Sequence, residues 1–262
     1  MRVFACVLAI SCALASPAAA APRRVASLKL CTDELLLLLG EPGQIASVTY
    51  LSQQPLETPL WRQARRYRSN DGSLLSVVAA RPDLVIDMGG GGRDTGRIAR
   101  RLGISMLSLP YPQSLADIEG AVVKVASAIG RPDAAAAAIA RIRALQRTAP
   151  ASSIDAIWID GGGRSFGARG VGAAWMALAG LRQRAVPGNR VTIEQMLIDP
   201  PSILLRSEYR SAQYSSEQTW LRQPLLTRNR TWRSIATDGR RWTCMGPLMV
   251  DEIIRLRREI RR

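Results

Sequence analysis

The chain contains no histidine. That absence excludes Ser-His-Asp and Cys-His catalysis, imidazole proton transfer and histidine-ligated zinc together. Lysine is nearly as scarce. Lys29 and Lys124 are the only lysines, so arginine carries almost all of a formal net charge of +15. Such a charge suits an anionic ligand, an anionic membrane surface or nucleic acid, or reflects no more than an arginine-rich coding bias. The arginines are dispersed, and neither zinc-finger spacing nor an aromatic RNA-binding motif is present, which argues against nucleic acid as a partner. Cysteine is confined to Cys6, Cys12, Cys31 and Cys244. Past residue 15 no apolar run approaches the length of a membrane span. No carboxylate pair or nucleophile–base constellation stands out, so the chain does not read as an enzyme.

Residues 3–15, VFACVLAISCALA, form one apolar run behind Arg2 and lead into Ser16-Pro17-Ala18-Ala19-Ala20. This pattern predicts a cleavable export signal over 1–20, too short to span a membrane. Ala9 stands where acylation of Cys12 would need leucine. The expected mature chain starts near Ala21 and works outside the cytoplasm, in the periplasm. There, the two remaining cysteines suggest a disulfide.

Along the chain, strands and helices alternate. VASL (25–28), Ile45–Tyr50, LVIDM (84–88) and Ile104–Leu109 read as strands. Thr32 is expected to cap a helix over Asp33–Leu39, with Asp33 and Glu34 favouring its N-terminus. Ser73 is expected to cap a helix through Ala80, and residues 51–71 read as a long loop with a short helix. Arg97–Leu102 and Ser114–Ile129 read as helices, and Asp133 is expected to cap an alanine-rich helix over 133–148. After Pro150–Ser153 the grammar restarts. Ile154–Ile159, Ile203–Leu205 and Thr231–Ala236 read as strands; Ala173–Ala179, Ile193–Leu197, Ser216–Arg222 and Pro247–Ile260 as helices. This alternation predicts an α/β protein whose parallel sheets are covered on both faces.

The order, and several stretches within it, resemble the periplasmic substrate-binding proteins that feed ABC importers of cobalamin, ferric siderophores and haem. The stretches are RVASLKLCTDELLLLLG (24–40), SVTY (47–50), LLSVVAARPDLVID (74–87), LGISMLSLP (102–110), VTIEQML (191–197) and WTCMGP (242–247). The resemblance covers essentially the whole mature chain. It implies a class III periplasmic-binding-protein fold, two doubly wound, Rossmann-like lobes joined by one long helix. The implied domains are 21–130, an interdomain helix over 131–150, and 151–262. It further implies no cofactor and a cargo that is a bulky metal chelate: corrinoid first, ferric siderophore second, haem third. The partner would be an ABC permease in the inner membrane, served by a monomer. An exported sensor, or an enzyme on the same scaffold, is the alternative. Members of this family dock through one glutamate per lobe. Glu194 matches the second-lobe position, but Leu75 occupies the first-lobe one, with Asp71 as a possible substitute. The cleft tryptophan of the cobalamin binders is also missing, RYRSND (66–71) standing in its place.

Within that frame, candidate ligand residues follow strand ends. Gly89 and Gly90 follow LVIDM, and Gly162 lies in the run after Ile154–Ile159, where glycine lets backbone approach a ligand. Neither run completes a dinucleotide fingerprint. Arg93 and Arg164 sit at the expected cleft rim, where guanidinium pairs with carboxylates or catecholates. Tyr50, Phe166, Tyr209 and Trp242 are expected to stack on a large flat ligand. Thr32 and Cys31 follow the first strand, and Cys244 precedes the last helix. In the resembling fold both cysteine loops face the cleft. Three readings stay open for the cysteines: a disulfide tying the lobes, a thiolate ligating the cargo's metal, or two unpaired thiols.

Overall fold

A computed structural model describes residues 21–90, 92–208, 223–224, 228 and 231–262. The signal segment 1–20, Tyr209 and the helix expected at 216–222 lie outside the described residues.

The first half of the mature chain builds one parallel sheet from β1 (Val25–Ser27), β2 (Ile45–Thr49), β3 (Arg68–Asn70), β4 (Leu84–Met88) and β5 (Ser105–Leu109), in the order β3-β2-β1-β4-β5. β1 and β4 are buried at every position because helices cover both faces, which is why they are largely apolar, with only Ser27 and Asp87 polar. Helix α1 (Leu30–Leu39) and α5 (Leu115–Ala128) pack on one face with Leu36, Val48, Ile86 and Val122. On the other face α3 (Leu74–Val78) and α4 (Gly92–Arg101) pack over Ala26, Leu28 and Val85.

Four strands form the second sheet: β6 (Ile154–Ile159), β7 (Leu181–Gln183), β8 (Ile203–Ser207) and β9 (Arg233–Thr237), in the order β7-β6-β8-β9, again all parallel. Helix α7 (Val171–Ala179) and the last helix, α10 (Met249–Ile260), cover one face through Trp175, Met176 and Ile253. α8 (Ile193–Ile198) contributes Met196 to the other.

Helix α6 (Pro132–Arg147) joins the halves. Its early residue Ala135 belongs to the first core, and its late residues Ile142 and Leu145 belong to the second. The preceding α5 runs alongside and does the same in reverse: Ile118 enters the second core and Val122, Val125 and Ala126 the first. The joint is therefore a helix pair, stiffer than the alanine-rich helix alone.

Several expectations are corrected. The stretch expected to be loop with a short helix holds a short helix, α2 (Trp61–Ala64), but also β3, because its polar residues Arg68-Ser69-Asn70 form a strand only by pairing with Ser47, Val48 and Thr49. β7 and a short helix α9 (Gly239–Cys244) were likewise illegible. α1 starts at Leu30, so Thr32 is not the cap; its hydroxyl donates back to the Lys29 carbonyl at 2.9 Å within the first turn. α6 starts on Pro132, preorganised for a first helical position, with Asp133 in its first turn and not at the cap.

Candidate functional site

Two contacts bring the carboxyl ends of the two sheets together around a cavity. Cys31, after β1, is disulfide-bonded to Cys244, after β9, with Cα atoms 5.2 Å apart. Arg240 Nη1, also after β9, donates to the carbonyl of Pro55, after β2, at 3.0 Å. A cavity of about 460 Å³ opens between Pro55 and Leu56 of the first half and Glu208, Thr237, Asp238 and Arg240 of the second. In open α/β sheets ligands sit beyond the carboxyl ends of the strands, and here two such edges face one cleft. The disulfide removes the open readings of Cys31 and Cys244 as a metal-ligating thiolate or as unpaired thiols.

The cavity's guanidiniums are already matched. Arg240 donates through Nε and Nη2 to both carboxylate oxygens of Asp238, each at 2.8 Å. Burial works against charge on Asp238, but the Arg240 hydrogen bonds and the Arg240 and Arg241 charges overcome it and hold the carboxyl below its ordinary range. Arg255 is held by Glu252 and by the Ala236 carbonyl. The chain's large positive charge is thus not concentrated in this cavity.

Beneath the disulfide lie two buried acids, Asp33 and Glu34, 0% and 2% exposed. Asp33 accepts from the backbone and hydroxyl of Thr49, yet burial pushes its carboxyl up to about 7. Glu34 accepts from the Thr58 hydroxyl at 2.6 Å. Burial pushes it up to about 8, Asp33 adding to the rise, while Arg241 and Asp238 of the other half act on it across the joint. The sequence suggested charges favouring a helix N-terminus; Asp33 does lie in the first turn, but buried. The available warning was LCTDELLLLL itself: a helix with leucine on nearly every side has no wet face on which to place an acid.

The remaining candidate residues divide. Tyr50, 51% exposed after β2, stands in solvent at the cleft edge of the first sheet. Gly89 and Gly90 follow β4 with φ +84° and +76°, and the ring of Tyr111 lies on Gly89 so closely that an added Cβ would come within 2.5 Å of it. Tyr111 is itself 61% exposed. Sequence reasoning missed it, although an aromatic two residues past a strand was a usable signal. The second glycine run is a turn tied by one carboxylate: the backbone N–H groups of Gly162 and Arg164 both donate to Asp160 Oδ1 at 2.8 Å. Arg164 is exposed beside it. Arg93 lies in the first turn of α4.

Thr32 and Trp242 face inward. Thr32 is fully buried and bonded to Ser27 at 2.7 Å. Trp242 is 3% exposed, donates to Thr237 at 2.7 Å and packs against Phe166 and Trp158 at centroid distances of 5.8 Å each. Phe166 stacks on Trp158 at 4.8 Å, so this trio is chiefly core of the second half. On the outside, Glu194 is exposed on α8 and Leu75 is 73% exposed on α3. Among the described residues no cluster of carboxylates and cysteines could hold a metal ion.

No protein-family model and no curated protein sequence matches the chain. Solved structures do. The periplasmic haem-binding protein HutB of Vibrio cholerae is 18% identical with a TM-score of 0.71, over 90% of this chain and 98% of that one. The siderophore-binding protein BauB, solved with two acinetobactin molecules and ferric iron, is 14% identical with a TM-score of 0.69, over 91% and 94%. The vitamin B12 binding protein BtuF of Vibrio cholerae is 17% identical with a TM-score of 0.63, over 92% and 97%. At these identities the likeness establishes the fold, and the fold is that of the class III periplasmic binding proteins.

Proposed function

We propose that this protein is the substrate-binding component of an ABC importer, capturing a bulky metal chelate between its lobes and delivering it to a membrane permease without chemistry of its own. The lobes are 21–130 and 151–262, with 131–150 as the joint and 1–20 as the export signal. The observation that carries the reading is the meeting of the carboxyl-end loops of two parallel sheets around one cleft. The solved proteins of this fold that bind haem, a ferric siderophore and vitamin B12 support it.

A corrinoid leads as cargo, then a ferric siderophore, then haem. Haem iron is held in proteins by histidine, thiolate, methionine or tyrosine. Histidine is absent here and both mature cysteines are bonded to each other, so of these ligand types tyrosine, as at Tyr50 and Tyr111, and methionine are left. A corrinoid or a siderophore brings its own ligand set and asks only for stacking and hydrogen bonds, which Tyr50, Tyr111 and the backbone at Gly89–Gly90 can offer. The compensated arginines of the cavity weaken the case for an anionic siderophore. The protein works as a monomer, and Glu194 meets the permease.

The test is a ligand panel of cyanocobalamin, cobinamide, haem and several ferric siderophores on the mature protein, read by thermal shift and tryptophan quenching. A true cargo at ~100 times its dissociation constant stabilises the fold by about 2.7 kcal/mol. Silence across the panel would sink the metal-chelate reading.

A further inference from the structure

The positive charge that the cleft does not use has an outlet on the outer face of the first sheet. There α3 and α4 lie side by side, and between them a groove of about 400 Å³ is lined by Leu28, Leu74, Leu75 and Ile98, with Lys29 and Asp87 among its polar residues. Its lip is apolar and stands in water: Leu75 is 73% exposed and Ile98 39%. Leu102, one helical turn past Ile98, is 48% exposed and extends the stripe. Arg97, Arg100 and Arg101 are exposed along the same helix. Arg97 pairs with Asp94 at 2.8 Å, whereas Arg101, beside Ile98, and Lys29, at the groove, make no ion pair among the described residues; Arg100 lies on the other side of the helix, over a second groove with Gly96, Gly103 and Ser105.

We propose that this stripe, Leu75–Ile98–Leu102 with Arg101 beside it and Lys29 at the groove, is a docking surface for an anionic phospholipid bilayer. Apolar side chains enter the headgroup boundary, and unmatched cations pair with lipid phosphates. Each half of the pattern alone has a duller use: scattered surface leucines are ordinary, and arginines simply keep a protein soluble. Their juxtaposition at one groove is what selects a charged interface with an apolar layer beneath it. An apolar protein pocket gives no reason for unmatched cations, and a nucleic acid gives none for exposed leucine and isoleucine. Held there, the protein would search for its permease along a surface.

The test is flotation of the mature protein with phosphatidylcholine vesicles, with and without phosphatidylglycerol. Binding is expected only with phosphatidylglycerol. The variant Leu75→Ser/Ile98→Ser/Leu102→Ser keeps every charge and is expected to weaken partitioning roughly tenfold. Lys29→Gln/Arg101→Gln is expected to weaken it too, and Arg258→Gln/Arg261→Gln, the same charge loss at the end of the last helix, to leave it intact. Equal weakening by the two charge-removing pairs, or no effect of the apolar variant, would overturn the proposal in favour of bulk charge. Capture by solubilised permease with no vesicle binding would overturn it in favour of a protein partner. Should the triple variant melt early, Leu75→Ser alone, at the most exposed site, carries the same expectation in smaller degree. Vesicle binding needs no cargo, so a silent ligand panel leaves this result standing and the two ideas fail separately.

Discussion

Asp33 and Glu34 show how far one residue's chemistry depends on its neighbours. Their unfolded values are 3.8 and 4.5, and burial raises them to about 7 and about 8. Both groups therefore bind a proton more tightly in the folded chain than in the unfolded one. The stability this confers is fully present below about pH 4 and is lost as pH rises through the folded values. Chemical denaturation across that range is expected to show stability falling from acid toward about pH 8. Glu34→Gln keeps an acceptor for Thr58 and removes the charge. At about pH 8 it is expected to be more stable than the parent by on the order of 1–3 kcal/mol, and near-neutral at about pH 4. A parent stability that climbs steadily from pH 4 to 8 would contradict this. Gly89 offers a second test at this scale. With φ at +84° and the Tyr111 ring against it, Gly89→Ala is expected to cost about 1–3 kcal/mol and to displace Tyr111. Thermal melts give the first effect, and cargo affinity gives the second.

Among elements, the central strands and the edges β5 and β9 were legible, and the edges β3 and β7 were not. LVIDM and IDAIWI announced themselves as β4 and β6 because strands covered by helices on both faces are largely apolar, apart from one aspartate in each. β3 and β7 carry Arg68-Ser69-Asn70 and Leu181-Arg182-Gln183; their strand character comes from the backbone of the neighbour they pair with. Polar, short edge strands also protect a sheet from pairing with other chains. The short helices α3 and α8 carry the two positions that the sequence aligned with the family's docking glutamates. Each has a hydroxyl cap, Ser73 and Thr192, and each turns an exposed residue outward, Leu75 and Glu194. Glu194→Lys is expected to abolish uptake in cells while cargo affinity of the purified protein stays unchanged. Loss of affinity instead would place Glu194 in the binding site and remove it from docking.

For the whole molecule, the decisive features are the three ties between lobes: α5, α6 and the Cys31–Cys244 bridge. The bridge closes almost the entire mature chain, so it restricts the unfolded ensemble strongly. Cys31→Ser/Cys244→Ser is expected to lower stability by up to about 5 kcal/mol, with reduction of the parent reproducing the loss in melting temperature. It also fixes the two lobes at one end of the cleft. Opening is therefore expected to be small, and cargo-induced change in small-angle scattering is expected to be slight in the parent and larger in the double serine variant. Equal changes in both would assign the stiffness to α5 and α6 alone.

The α/β class, the restart near residue 150, most strands and helices, and the exclusion of histidine chemistry followed from the sequence by itself. Those properties rest on periodicity, turn chemistry and composition, which are local. Only the tertiary structure decided that Thr32, Asp33, Glu34 and Trp242 are interior, that Cys31 meets Cys244, and that the arginines of the cleft are matched while Arg100 and Arg101 are not. Burial and charge pairing are set by what packs against a residue from distant parts of the chain. No local pattern records that, so candidate residues could be named at strand ends from sequence, but which of them are buried and which exposed was decided only in the fold.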